Sequence, residues 1–513
     1  MKWNRRELLQ TMGGAVSALA LSRFAKAQAA AEGASFAGSR ESLQRYRIPD
    51  WFRDAKFGIW SHWGPQSAIE YGDWYARTMY LEGSKQYLYH VETYGHPSKV
   101  GYKDLVNNWK AAKWDPDHLM GLYKKAGAKY FVSMGVHHDN FDLWDSKHTR
   151  WNAVNMGPKR DIVGTWQKAA RNQGLRFGVS EHLWISYKWW AVSHGADKTG
   201  PLAGIPYDGA DPKNADLYHD ADCARFADKL DWNDDGIPES WKRHYLDRMT
   251  DLIDKYQPDL LYTDGHLPFE DYGLKMVAHL YNVSAQAHGG ANEAIYTSKE
   301  STDCAIGTCL LDHERGVSDG IAVNPWQTDT CIGQWHYNRG EKYKTAKKVI
   351  DLLTDIVSKN GNLLLNFPLP NSGELDLEEM NVLDGITAWM AVNSEGIYAS
   401  RPWKIHGEGP STKVTIASGN FNEDKQKDLT AEDVRFTTKG STLYAFVMGW
   451  PEKEAAVQSL GLASAQNPGK IRQVELLGHK GELKWKQNEA ALQIEMPSEK
   501  ISDIGFTLKI ELA

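Results

Sequence analysis

Between residues 50 and 370, short apolar runs alternate with stretches of helical periodicity, an order that few architectures accept. The runs fall at 57–61, 130–136, 175–180, 259–263, 295–298, 308–312, 331–336 and 362–367. A strand that is apolar at successive positions is covered on both faces. In an alternating chain this means a parallel sheet wrapped by its crossover helices. Eight such units predict an α/β fold, a TIM-like (β/α)8 barrel. The intervening helices carry their own boundaries. Asp115 is an N-cap with Pro116 behind it, and Leu119, Met120, Leu122 and Tyr123 then build one stripe. Residues 344–359 place Val349, Ile350, Leu353, Ile356 and Val357 on one face before Lys359, Asn360 and Gly361 end the helix.

Beyond about residue 400 the texture changes to short alternating runs at 441–448, 471–477 and 505–512, divided by Gly-, Pro- and Lys-rich turns. That pattern predicts a C-terminal antiparallel β-sandwich. The expected organisation is an export signal over 1–27, a linker over 28–45, the barrel catalytic domain over 46–400 and the sandwich over 401–513. Residues 185–245 are too many for an ordinary crossover and predict an insertion at the barrel mouth. The signal is read from Arg5-Arg6, the short apolar stretch Met12 to Ala20, and the small residues Ala25 and Ala27 around Lys26. It has the form of a bacterial twin-arginine signal cut near Ala27, which sends the mature chain to the periplasm or beyond. No later segment approaches the roughly 20 apolar residues that span a bilayer, so stable membrane insertion is not expected.

With 59 basic and 66 acidic residues the chain carries a formal charge of -7, which gives no cationic excess for a polyanion and argues against nucleic acid as a partner. Cys223, Cys304, Cys309 and Cys331 lack the paired spacing of a structural zinc site. Export permits a disulfide, with Cys304 and Cys309 closest in sequence, and it equally permits buried free thiols. Asp231, Asn233, Asp235 and Gly236 follow the first, third, fifth and sixth positions of a calcium loop, but Lys242 stands where the bidentate glutamate belongs. A polar turn explains the same residues. No cofactor is expected, and structural calcium stays the less favoured reading.

In a barrel of this kind catalytic groups stand at the C-terminal ends of the strands. The most specialised end follows Phe131, where an apolar strand runs directly into His137 and His138, three aspartates, Phe141 and Trp144. Other ends carry His62 and Trp63, Ser180-Glu181-His182, Asp264-Gly265-His266, and Asp312 to Gly316. Two carboxylates on different strand ends are what glycoside hydrolysis requires, and Asp264 and Glu314 meet that need. Locally, Asp264 also suits a turn before Gly265, and Glu314 also suits a surface ion pair with Arg315. The 21 tryptophans and 23 tyrosines cluster near polar turns, where flat rings serve either sugar faces or core filling. A metal site is the rival reading of the histidines; adjacent strand residues such as His137 and His138 point in opposite directions unless the backbone turns.

The chain resembles the α-L-fucosidases of glycoside hydrolase family 29. The resemblance rests on Trp51 to Gly64, Asp73-Trp74-Tyr75 with Met79, His137 to Thr149, Gly157 to Gly164, Leu261 to Gly265, Trp326 to Gly333 and Asn360 to Asn366, in order over about residues 50 to 405. It implies a retaining exo-acting enzyme that removes terminal α-L-fucose from a fucosylated oligosaccharide or glycoconjugate. Asp264 would be the nucleophile and Glu314 the acid/base, with Glu300, Glu293 and Asp303 as competitors. Gln327 stands where many relatives have a glutamate. His62, His137 and His138 match positions that hold sugar hydroxyls, and Trp63, Trp74 and Trp335 would wall the pocket. Asp73 replaces a frequent glutamate, and Glu181 belongs to a strand end that departs from the family's tyrosine-rich pattern. These two differences keep a related α-L-glycosidase, such as an α-L-galactosidase, among the alternatives. A catalytically weak carbohydrate-binding protein on the same scaffold is another alternative, and a homo-oligomer is compatible with the sequence.

Overall fold

The computed structural model describes residues 35–513 apart from Ile306 and Thr415. The expected export signal and residues 28–34 of the expected linker lie outside the described residues. Eight parallel strands close into a barrel: β1 (Phe57–Ser61), β2 (Tyr130–Val136), β3 (Arg176–Glu181), β4 (Leu260–Thr263), β5 (Ile295–Ser298), β6 (Leu310–Glu314), β7 (Trp326–Cys331) and β8 (Gly361–Asn366). β1 and β8 pair in register, Gly58 against Leu364. Inward residues Trp60, Tyr130, Val132, Leu260, Tyr262, Ile295, Leu310 and Leu364 plug the interior, so the barrel is a packed core. Gly58 is required here, because a Cβ on it would sit 2.4 Å from the Tyr130 ring.

Six helices of ten residues or more are described: α1 (Pro116–Lys125), α2 (Ile162–Asn172), α3 (Glu239–Tyr256), α4 (Asp271–Ala287), α5 (Ala346–Ser358) and α6 (Leu377–Asn393). The Asp115 side chain caps α1 by accepting the His118 N–H, as its position suggests. On α5, Val349, Ile350, Leu353, Ile356 and Val357 are all fully buried. Asn360 then takes a left-handed φ of 74° and turns the chain into β8.

The seventh strand is a correction. The apolar run 331–336 suggested it, but the strand is Trp326–Cys331. Its inward side chains include Gln327 and Asp329, both fully buried; Gln327 meets Tyr130 and Asp312, and Asp329 meets Tyr262. A strand that sends hydrogen-bonding polar groups into the interior has no apolar signature to find. β6 likewise runs two residues further than the 308–312 expectation, which makes Glu314 the last residue of the strand.

The C-terminal region forms two antiparallel sheets. The first orders β13 (Ile471–Leu476), β16 (Phe506–Leu512), β11 (Thr442–Val447), β10 (Val434–Lys439) and β9 (Arg401–Glu408); the second orders β12 (Glu454–Val457), β15 (Leu492–Glu495) and β14 (Trp485–Gln487). Phe436, Leu443, Ala445, Leu492, Ile494, Leu508 and Ile510 share one apolar core between them. The barrel meets this unit through α5, where buried Asp355 accepts from Arg435 Nε at 2.7 Å and pairs with Lys359 at 2.8 Å. Among the described residues, no helix is long and apolar enough to cross a membrane.

Candidate active site

The C-terminal ends of the strands enclose a cavity of about 700 Å³, within the usual size of a small-ligand site. Asp264 stands one residue past β4, its backbone N–H bonded to the Glu181 carbonyl. Glu314 ends β6, and Lys299 follows β5. The Lys299 ammonium touches Asp264 Oδ1 and Glu314 Oε2 together. Asp264 Oδ2 lies 3.1 Å from His182 Nδ1 and 3.3 Å from His138 Nε2. Burial alone would raise the Asp264 carboxyl, but Lys299, His182 and His138 outweigh it and hold the group well below the usual carboxylate range. Glu314 goes the other way. Burial drives it up against the pull of Lys299, and Asp264 and Asp329 add to the rise, which brings it to about 7. Its Oε1 accepts from Trp335 Nε1 at 3.2 Å. Two carboxyl groups on one cation are thus driven apart, one ionised and one ready to hold a proton.

The imidazoles crowd the other side. His137 and His138 both face the cavity, their ring centroids 4.3 Å apart, because β2 slips register beside β3 between Met134 and Val136 and the chain turns before Asn140 at φ 63°. The backbone turns here, the condition under which adjacent strand histidines need not diverge. Gln66 Nε2 donates to His137 Nδ1 at 3.0 Å, which leaves His137 Nε2–H as a donor toward the cavity. His138 Nδ1 donates to the His182 carbonyl at 2.7 Å. Burial, with the neighbouring imidazoles, pushes His62 and His137 well below the usual histidine value, and burial takes His182 to about 4. Neutral rings of this kind both donate and accept, which suits sugar hydroxyls. The same nitrogens form two trios, His62/His137/His336 and His137/His138/His182, whose atoms lie within 4.8 Å of one another and could hold a metal ion.

Of the residues singled out in the sequence, Asp264, Glu314 and its competitor Glu300, His62, His137, His138, Asp73, Trp74 and Trp335 line the cavity. Asp73 is turned to structure: its carboxylate oxygens accept the backbone N–H groups of Trp335 and His336 at 3.1 and 2.6 Å. Trp63 and Glu181 are corrections. Strand residues two apart share a face, so Trp60 joins His62 in the cavity while Trp63 packs behind it on Trp109 and Trp114, its Nε1 bonded to the Pro370 carbonyl at 2.9 Å. By the same alternation His182 faces the site and Glu181 faces α3. There Glu181 accepts from Thr263 Oγ1, the Tyr245 hydroxyl and the Leu183 N–H, while burial takes it to about 7.

Sequence reasoning gave no site role to Trp60, His182, Lys299 and Trp232. The first two were available from the two-residue period of their strands. Lys299 and Trp232 had no motif to mark them: consecutive strand order sets the β5 end between those of β4 and β6, and only the insertion's path lays Trp232 against Trp74, Trp184 and His138. In the calcium-like loop, Asn233 Oδ1 accepts from Lys188 Nζ at 2.7 Å and Asp231 pairs with Lys229 at 2.7 Å, so cations of the chain already take those oxygens. Cys304 and Cys309 form a disulfide; Cys223 and Cys331 are buried free thiols.

A closed parallel barrel with two electrostatically separated carboxyl groups above aromatic and imidazole walls defines a glycoside hydrolase. Comparison with known proteins narrows the class. The chain belongs to the α-L-fucosidase family, glycoside hydrolase family 29: the α-L-fucosidase family model matches residues 23–395, and that of the α-L-fucosidase C-terminal domain matches 426–511. Human tissue α-L-fucosidase is 26% identical over 488 residues, covering 91% of this chain and 90% of the human one. Rat plasma α-L-fucosidase is 26% identical over 491 residues, covering 92% and 93%. The Thermotoga maritima α-fucosidase solved in complex with fucose superposes with a TM-score of 0.69 at 26% identity, covering 92% of this chain and 99% of its own.

Proposed function

We propose that this hydrolase is a retaining, exo-acting enzyme that releases terminal α-L-fucosyl groups from glycans by double displacement. The observation that carries the reading is the shared lysine. One ammonium touches both carboxyl groups, which favours the close-set pair of retaining glycosidases, about 5 to 5.5 Å between carboxyl groups, over the wider inverting pair that leaves room for a water.

Asp264, held ionised by Lys299 and two histidines, attacks the anomeric carbon as Glu314 gives its proton to the departing oxygen. Glu314, now a carboxylate, then takes a proton from water, which displaces Asp264 and restores both groups. His62, His137, His138 and His182 hold the sugar hydroxyls beneath Trp74 and Trp232. The Thermotoga relative's complex with fucose supports that sugar as the ligand. The N-terminal segment supports export, and no added cofactor enters the reaction.

Proton NMR of the first-formed product tests the stereochemistry: α-L-fucose must appear before mutarotation, and initial β-L-fucose would end the double-displacement reading. Azide supplied to Asp264→Gly should give β-fucosyl azide, and to Glu314→Ala the α anomer. The reverse pattern would exchange the two roles. Including aryl α-L-galactosides in the same assays checks the choice of sugar.

A further inference from the structure

The barrel's cavity is completed by a segment that the barrel does not supply. Residues 396–425 lie between the two stretches matched by the family models. Part of this segment returns to the end of β6. Gly419 bridges Val317, the Phe421 N–H bonds the Glu314 carbonyl at 2.7 Å, and the Asn422 and Glu423 N–H groups bond the Arg315 carbonyl at 3.0 and 2.9 Å. Side chains lock the same junction: Asn420 Oδ1 accepts the Glu314 N–H at 3.0 Å, and Asn422 Oδ1 accepts the Val317 N–H at 2.8 Å.

Phe421 is held at a left-handed φ of 53° at the centre of this clamp, a conformation that bulky residues rarely adopt. Although it lines the cavity, it is 65% exposed. A solitary exposed apolar residue needs no explanation. A strained aromatic, bonded through its backbone to the strand residue that carries the acid and lining the mouth of the same cavity, does need one.

Resting on the retaining reading above, we propose that Phe421 is the platform of the leaving-group subsite and takes the pyranose ring to which the fucosyl unit is attached. The departing oxygen must come within hydrogen-bond reach of Glu314. The sugar on that oxygen therefore leaves on the Glu314 side, where Phe421 offers a flat apolar face. Trp232, by contrast, lies against His138, Trp74 and Trp184 and covers the fucosyl side of the cavity.

The test compares kcat/KM for a fucosylated disaccharide with that for α-L-fucosyl fluoride, whose leaving group has no ring. Phe421→Ala should lower the disaccharide-to-fluoride ratio roughly tenfold, a typical size for one lost aromatic contact. Phe421→Trp should restore the ratio, and Trp232→Ala should leave it near wild type while slowing both substrates. An unchanged ratio in a folded Phe421→Ala enzyme overturns the proposal. If wild-type protein hydrolyses the fluoride normally, such a result leaves the retaining reading intact. Failure of the wild type on both substrates would overturn the activity reading and this subsite together.

Discussion

Replacing Lys299 by Met should move the whole pH–rate bell upward. Turnover requires Asp264 ionised and Glu314 protonated, so Asp264 sets the acid limb and Glu314, at about 7, sets the alkaline limb. Lys299 stabilises the ionised form of both, and its loss raises both. Two unit charges about 4 Å apart interact by about 4 kcal/mol at an effective dielectric of 20. The mouth of the site admits solvent, the side chains of Asp264 and Glu314 being 16% and 15% exposed, so we keep a third of that figure. About 1.4 kcal/mol remains, equivalent to one pH unit. The alkaline limb of kcat/KM for an aryl fucoside should therefore rise by about one pH unit, and the acid limb should move the same way. Lys299→Arg, which keeps the charge, should return the profile toward wild type. A Lys299→Met profile that stays in place, or moves down, would refute the electrostatic role, whatever the change in absolute rate.

Trp63→Ala should cost about 3 to 5 kcal/mol of stability in urea unfolding and leave KM of the folded enzyme near wild type, because its ring fills core; normal stability with a raised KM would return Trp63 to the pocket wall. Arg248 and Asp142 are both fully buried and ion-paired, so Arg248→Met should cost about 3 to 5 kcal/mol near neutral pH. Burial already holds Asp142 above its ordinary value against the pull of Arg248, and without the arginine its folded-state value would rise further. The deficit should then shrink as the pH falls and Asp142 takes a proton; a deficit equal at pH 5 and 8 would contradict this account. Exhaustive chelation should leave both hydrolysis and the thermal midpoint unchanged, and a loss reversed only by calcium would assign an ion to the Asp231 loop.

The sequence by itself determined the barrel, because a parallel strand covered on both faces must be apolar along its length and a helix on the barrel wall must be apolar along a stripe. β2 obeys the first rule apart from buried Ser133, and α5 obeys the second along Val349, Ile350, Leu353, Ile356 and Val357. It also placed Asp264 and Glu314, since motif order along the chain follows strand order around the barrel. Where a strand sends hydrogen-bonding polar groups inward, as β7 does with Gln327 and Asp329, the apolar rule has nothing to register, and the apolar run lies five residues late. Alternation would have exchanged Trp63 for Trp60 and Glu181 for His182 had it been applied through the strand ends.

What only the tertiary structure decided is the electrostatics and the rim. The lysine between the carboxyl groups, the register slip that turns His137 and His138 into one pocket, the tryptophan brought over by the insertion and the phenylalanine brought back from residues 396–425 all join positions far apart in the chain. Charge interactions and solvent exclusion depend on distance in space, and sequence spacing fixes that distance only within a single helix or strand.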